Sequence, residues 1–177
     1  DQDFQIVFED KHILVVNKPA GLLSQKADSK DVSLVEQIIS YLLKTKQISE
    51  NELKTFKPSI CNRLDRNTSG LIIAGKTLTA LQDISESFRN RSIEKYYLCI
   101  VLGSLKEKQS ISGHLIKDNK TNQVSVSNKE SKKSERIESE YEPLLYNDNF
   151  SILKVKLITG KTHQIRAHLS SIGHPIL

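Results

Sequence analysis

Apolar and polar positions along the chain fall into short runs of distinct period. Ile13-Leu14-Val15-Val16 is an apolar run closed by Asn17-Lys18-Pro19-Ala20-Gly21, which predicts a buried strand running into a turn. From Ser33 to Lys44, Leu34, Val35, Ile38, Ile39, Leu42 and Leu43 recur with helical period, and Ser33 with Glu36 forms a capping box at the start. Leu71-Ile72-Ile73-Ala74 predicts a second short strand, stopped by Gly75. A helix follows over 78–91, with Leu81, Ile84 and Phe88 on one face and Arg89 and Arg91 where cations favour the helix dipole. Tyr96 to Leu102 is apolar or aromatic on both faces, as in a strand covered on two sides.

The second half is less regular. Residues 104–137 are rich in Lys, Ser, Asn and Gln; Val124 and Val126 alternate with Ser125 and Ser127, which predicts a short exposed hairpin in an otherwise solvated excursion. Glu138 to Tyr146 and Phe150 to Ile158 are strands of an antiparallel hairpin turned by Asn147-Asp148-Asn149. Thr162 is placed to cap a helix reaching about Ile172, and Gly173 with Pro175 stops it. Strands outnumber helices and hairpins replace strand–helix–strand alternation. The expected fold is α+β: a largely antiparallel mixed β-sheet flanked by helices.

Composition narrows the function classes only a little. A chain of 177 residues fits one domain, here taken as 1–177, and 37% hydrophobic with 27% charged residues is the balance of a soluble globular protein. No apolar run approaches the ~20 residues of a membrane helix, and Asp1-Gln2-Asp3 lacks the basic-then-apolar order of a signal peptide, so a cytoplasmic, membrane-free setting is expected. Cys61 and Cys99 lie far apart without CxxC spacing and read as core or near-core thiols in a reducing compartment. The net charge of +5 permits a polyanionic partner without demanding one.

Chemistry is concentrated in three places. Cys61-Asn62-Arg63-Leu64-Asp65-Arg66-Asn67-Thr68-Ser69-Gly70 packs polar and charged residues between Ile60 and a strand. Gly70 can take positive φ, and Asp65 is held at a sheet edge between two arginines that favour its ionised form. Such an Asp can act as nucleophile or base. On spacing alone, a structural ion pair in a polar turn describes it better. Glu94-Lys95-Tyr96-Tyr97 places two tyrosines at a strand start, a pattern that also fits plain packing. Thr159-Gly160-Lys161-Thr162-His163-Gln164-Ile165-Arg166-Ala167-His168-Leu169 opens a helix with free N–H groups and a cation suited to phosphate, and equally describes a capped amphipathic helix. His163 and His168 are five apart and do not share a helical face, which argues against a metal site. Neither GxGxxG nor GxxxxGK[ST] occurs, and no second carboxylate matches the setting of Asp65 as a glycosidase would need.

Taken in order, these segments resemble the RluA-type RNA pseudouridine synthase family over nearly the whole chain. Val7-Phe8-Glu9-Asp10 through Val15-Val16-Asn17-Lys18-Pro19-Ala20-Gly21-Leu22 is similar to its first motif. Arg63-Leu64-Asp65 with Thr68-Ser69-Gly70-Leu71 is similar to the second, and Lys95, Tyr97, Val101 and Gly103 to the next. Thr159 to Arg166 with His168-Leu169 is similar to the last.

The resemblance implies isomerisation of uridine in structured RNA, ribosomal RNA ahead of transfer RNA: the glycosidic bond is cut, the uracil turned, and the base rejoined through carbon. It implies Asp65 as nucleophile, at the sugar or at the ring, Tyr97 against the uracil or as base, and Arg166 holding Asp65 ionised and oriented. Arg63 would fill the stack vacated by the flipped base, since a planar guanidinium stacks well. Arg63, Arg66, Lys18, Lys161 and His163 are the expected RNA contacts, with no metal, no organic cofactor and a monomeric protein. The alternative is a non-catalytic RNA-binding or ribosome-assembly module on the same fold. Asn62 stands where many members carry His, Lys161 where Arg is common, and the chain ends at Leu177 where members continue. The expectation is therefore a catalytic domain trimmed at its C-terminus and without an N-terminal RNA-binding module.

Overall fold

The computed structural model describes residues 2–28, 30–117 and 124–177. The chain divides into two compact units, Asp1–Ser92 and Ile93–Leu177.

The first unit is built on a four-stranded antiparallel sheet of β1 (Gln5–Glu9), β2 (Ile13–Lys18), β3 (Ser59–Ile60) and β4 (Gly70–Gly75), ordered β1-β2-β4-β3. Helix α1 (Leu34–Lys44) covers one face, its Leu34, Ile38 and Leu42 meeting Leu14, Val16, Ile72 and Ala74 in a common core. The alternation Leu14/Val16 and Ile72/Ala74 is the period of two that sends every second strand residue to one face. The capping box is present: Glu36 accepts from both the N–H and the hydroxyl of Ser33. Helix α2 (Leu78–Arg89) starts on Thr77, whose Oγ1 accepts from the Ala80 N–H at 3.2 Å.

The second unit is a five-stranded antiparallel sheet, ordered β5-β9-β8-β6-β7, with helix α3 (Gln164–Ser171) against it. Its strands are β5 (Lys95–Leu102), β6 (Gln109–Lys117), β7 (Val124–Ser127), β8 (Ser134–Tyr146) and β9 (Phe150–Leu157). Val101, Tyr141, Leu153, Val155 and Leu169 form its larger core.

The 104–137 segment departs from expectation. Residues 118–123 lie outside the described residues, but around them β6 pairs with β7 over His114–Lys117 and with β8 over Gln109–Ile116. It is mostly sheet, not solvated excursion. The signal was weak because few positions are apolar; Leu115 and Ile137 are buried with Ala167, and Val124 and Val126 pack onto them. All named strand pairs among the described residues are antiparallel, as hairpin connectivity predicts.

Gly75 ends β4 where α2 comes closest: a Cβ there would stand 2.5 Å from the Leu81 Cα and 2.6 Å from its backbone N. Helix backbone cannot swing aside as a long side chain can. Gly75→Ala is expected to lower stability by roughly 1–3 kcal/mol, read as a lower urea midpoint at unchanged slope.

Candidate active site

The loop between β3 and β4 carries Asp65, and its neighbours in sequence are pinned at backbone level. Ser24, buried in the first unit, donates its hydroxyl to the Leu64 carbonyl at 2.7 Å and accepts from the Leu64 N–H at 3.1 Å. On the other side, the Arg66 carbonyl accepts from the Gly21 N–H at 2.8 Å and from Lys18 Nζ at 3.1 Å. Asn62 extends the strand ladder with its side chain, accepting from the Ile73 N–H at 2.9 Å and donating to the Leu71 carbonyl at 3.1 Å. The Thr68 N–H closes the turn on the Asp65 carbonyl at 3.0 Å, and Gly70 leaves the loop at φ +140°. There a side chain would be strained.

Lys18 is the centre of this clamp. Its ammonium donates to the carbonyls of Pro19 at 2.8 Å and Leu22 at 2.7 Å as well as Arg66, and the residue is fully buried. An ammonium has three N–H donors, so none remains for a phosphate. The expected RNA contact at Lys18 is thus replaced by an internal one. Burial pushes its pKa below the usual lysine value, and the Asp65 carboxylate pulls against that shift. Asp65 is half-buried and lies near enough to Lys18 for its charge to be felt there, and Arg63 and Arg66 are exposed.

In the second unit the segment before α3 is organised by the Gln164 amide. Its oxygen accepts from Thr159 Oγ1 at 2.9 Å and the Lys161 N–H at 3.0 Å. Its nitrogen donates to the Glu138 carbonyl at 3.0 Å and Ser139 Oγ at 2.9 Å. The expected cap at Thr162 is not the one used. His163 is the N-cap, in the left-handed region at φ 56°, because folding the loop back onto β8 leaves Gln164 as the first helical residue. Lys161 pairs with Glu135 at 2.5 Å on the surface, and Arg166 is exposed on α3 between buried Gln164 and His168.

The two tyrosines face opposite ways. Tyr97 turns inward against the Val155 core, while Tyr96 faces out, its hydroxyl on Glu94 at 2.7 Å and its ring 4.6 Å from Lys154 Nζ. His168 is buried with Nδ1 3.3 Å from Ser139 Oγ, and its Nε2 has no hydrogen-bond partner among the described residues. Both cysteines are half-buried, and burial raises their pKa values, that of Cys99 to about 11. Among the described residues no group of His, Cys, Asp and Glu could hold a metal ion, and no helix is long and apolar enough to cross a membrane.

The first unit therefore gathers Asp65, Arg63, Arg66 and Lys18, and the second carries Tyr97, Lys161, His163 and Arg166. Ser24 and Gln164 escaped the sequence reading. An isolated Ser in a loop has no pattern to mark it, and nothing in the spacing of Thr159 to Leu169 singles out Gln164.

A family model described as "RNA pseudouridylate synthase" matches residues 12–171. The chain belongs to that family. It is 34% identical over 174 residues to the ribosomal large subunit pseudouridine synthase D of Borreliella burgdorferi, covering 97% of this chain and 52% of that protein. The protein of the same description from Zymomonas mobilis is 34% identical over 182 residues, covering 100% and 55%. The chain thus spans about half the length of these curated relatives. The human RNA pseudouridylate synthase domain containing 4 shares the fold at TM-score 0.79 and 21% identity, over 97% of this chain and 66% of that one.

Two measurements test these internal contacts of the pseudouridylate synthase domain. Lys18→Met removes the shared donor of three part-buried carbonyls and is expected to cost roughly 1–3 kcal/mol of stability by urea unfolding, with Lys18→Arg no better because a planar guanidinium cannot reach the same three acceptors. Burial holds the His168 pKa below its usual 6.5, so the folded form resists protonation more than the unfolded chain does. The stability this contributes is complete above pH 6.5 and is lost as pH falls below it. His168→Gln should flatten the melting-temperature difference between about pH 7.5 and about pH 5.5, a titration range specific to histidine.

Proposed function

We propose that the protein isomerises uridine to pseudouridine in structured RNA, with Asp65 as nucleophile and ribosomal RNA as the preferred class. The observation that carries this is the Asp65 loop: a half-buried carboxylate whose flanking residues are fixed through Ser24, Gly21 and Lys18, within a chain of the pseudouridylate synthase family. A nucleophile gains most from such fixing, because pre-set geometry removes much of the entropy of bringing reactants together. The preference for ribosomal RNA rests on the 34% identical relatives described as ribosomal large subunit enzymes.

In this proposal the target base is swung out of its stack at a cost of a few kcal/mol. Exposed Arg63 occupies the gap, and Tyr97 and Arg166 are the second unit's candidate catalytic residues. Arg66, Lys161 and His163 contact the RNA, Lys161 by exchanging Glu135 for a phosphate. Because the uracil stays bound between cleavage and rejoining, the rejoining step is effectively intramolecular. No metal or organic cofactor takes part, and the proposed setting is the cytoplasm.

Asp65→Asn is expected to abolish tritium release from RNA labelled at ring carbon five while RNA binding persists. Release at the wild-type rate would reject the assignment, and absence of release from the wild type would favour a non-catalytic RNA-binding role.

A further inference from the structure

The positive charge of the chain is concentrated in one stretch of the second unit. Residues 104–137 hold eight Lys and Arg against four Asp and Glu, a net +4 of the chain's +5; Lys120 and Asp118, outside the described residues, cancel. Lys129, Lys132, Lys133 and Arg136 all lie where β7 turns into β8. Serine hydroxyls shape that turn. Ser127 Oγ accepts from the Lys129 N–H at 3.0 Å, and Ser134 Oγ accepts from the Ser131 N–H at 2.8 Å and donates to the Ser131 carbonyl at 2.9 Å. The three lysines stand exposed on it, and among the described residues their ammoniums have no hydrogen-bond or ion-pair partner. Glu135 close by is paired with Lys161.

Beside the turn the sheet carries a polar hollow of about 350 Å³, lined by Ser112, Gly113, His114, Asn128 and Arg136. That is several times the ~30 Å³ of a water molecule. Strand register explains its chemistry. His114 stands opposite Ser127 on one side and Arg136 on the other. With a period of two, these side chains leave the sheet on the face away from Leu115, Val126 and Ile137, which pack together on the buried side. Gly113 gives the hollow only backbone, since a Cβ on it would point to the buried side, 2.8 Å from Val126 Cγ1. The lining thus offers a guanidinium, an imidazole, an amide and a hydroxyl. Glu138 lies 3.9 Å from the Arg136 guanidinium, an exposed pair of little strength that leaves most of its five N–H donors available.

We propose that this hollow and the three turn lysines form an RNA-backbone site; that the polyanion is RNA rests on the function proposed above. Arg136 holds one phosphate with its planar fork, which matches two phosphate oxygens at once. Asn128, Ser112 and His114 hydrogen-bond the same phosphate or the adjoining ribose 2′-hydroxyl, the group that distinguishes RNA from DNA. Lys129, Lys132 and Lys133 meet neighbouring phosphates as point charges. Contacts of this kind fix orientation and carry no base information, so the target uridine is read elsewhere. Lysines kept only for solubility would need no hollow of converging neutral donors beside them. An acidic protein segment is a poorer fit, because no apolar residue lines the hollow and protein interfaces have an apolar centre.

The test measures affinity apart from turnover, on the full protein as expressed from its gene, with ribosomal RNA from cells lacking that gene. Lys129→Ser, Lys132→Ser and Lys133→Ser combined are expected to weaken RNA binding on the order of 10-fold and to lower the salt slope by about two to three. Arg136→Gln alone should lower the slope by about one. Arg136→Lys should keep the slope and recover only part of the affinity, since the fork is lost. The loss in kcat/KM should come through KM, with the melting temperature unchanged because every altered side chain is exposed. Lys11→Ser, Lys44→Ser and Lys57→Ser combined remove the same charge from exposed positions of the first unit and should leave affinity within about twofold. An equal loss in that control overturns the site, because net charge alone then explains the binding. Unchanged affinity and slope in the turn variant overturn it too, which is the result an acidic protein partner would give, and so does a loss seen in kcat alone. Wild-type protein that binds RNA with these slopes but releases no tritium overturns the isomerase reading and leaves the site standing. Wild-type protein that binds no RNA overturns both.

Discussion

A buried ammonium cannot be left without acceptors, and around Lys18 that constraint organises the first unit. The carbonyls that satisfy it come from Pro19 and Leu22, just beyond β2, and from Arg66, far along the chain. Bringing them to one point joins the turn after β2 to the loop after β3, and the Gly21 N–H adds a second bond to the same Arg66 carbonyl. The Asp65 carboxylate is then the counter-charge of a lysine that cannot move away. The placement of the loop that carries the candidate nucleophile follows from a single satisfied cation.

The second unit meets a similar demand with a neutral group. The Gln164 amide uses both of its polar ends and binds the Thr159–Lys161 loop to β8 and to the first turn of α3. Buried amides without partners are costly, so four bonds to one side chain leave the loop little freedom. Lys95 depends on that rigidity, since its ammonium occupies the space that Gly160 leaves open. His168 lies in the same network through Ser139 and carries the cost of a buried ring nitrogen without a partner among the described residues.

The strands and helices with strong periodicity were legible. The cores of α1, β2 and β4 contain the residues whose spacing marked them: Leu34, Ile38 and Leu42 against Leu14, Val16, Ile72 and Ala74. Where the reading failed, the local signal was thin. Strand β6 has a Ser-rich, Gly-containing sequence, and what makes it a strand is pairing with β8 on one side and β7 on the other. The capping position of α3 was misread because Thr162 is the better cap by residue type, whereas the loop geometry imposed by Gln164 and β8 leaves that position to His163.

The sequence by itself determined the α+β class, the main elements and, through ordered motifs, membership of the pseudouridylate synthase family. Those properties are carried by residue type and spacing along the chain, which sequence records directly. The tertiary structure decided what each polar group is for. Lys18 in an apparently exposed turn became an internal clamp, Asn62 became a rung of the β4 ladder, and Tyr96 and Tyr97 parted to opposite faces. A charged side chain reads the same in sequence whether water or three carbonyls surround it. Only the fold says which, because its partners arrive from positions far along the chain.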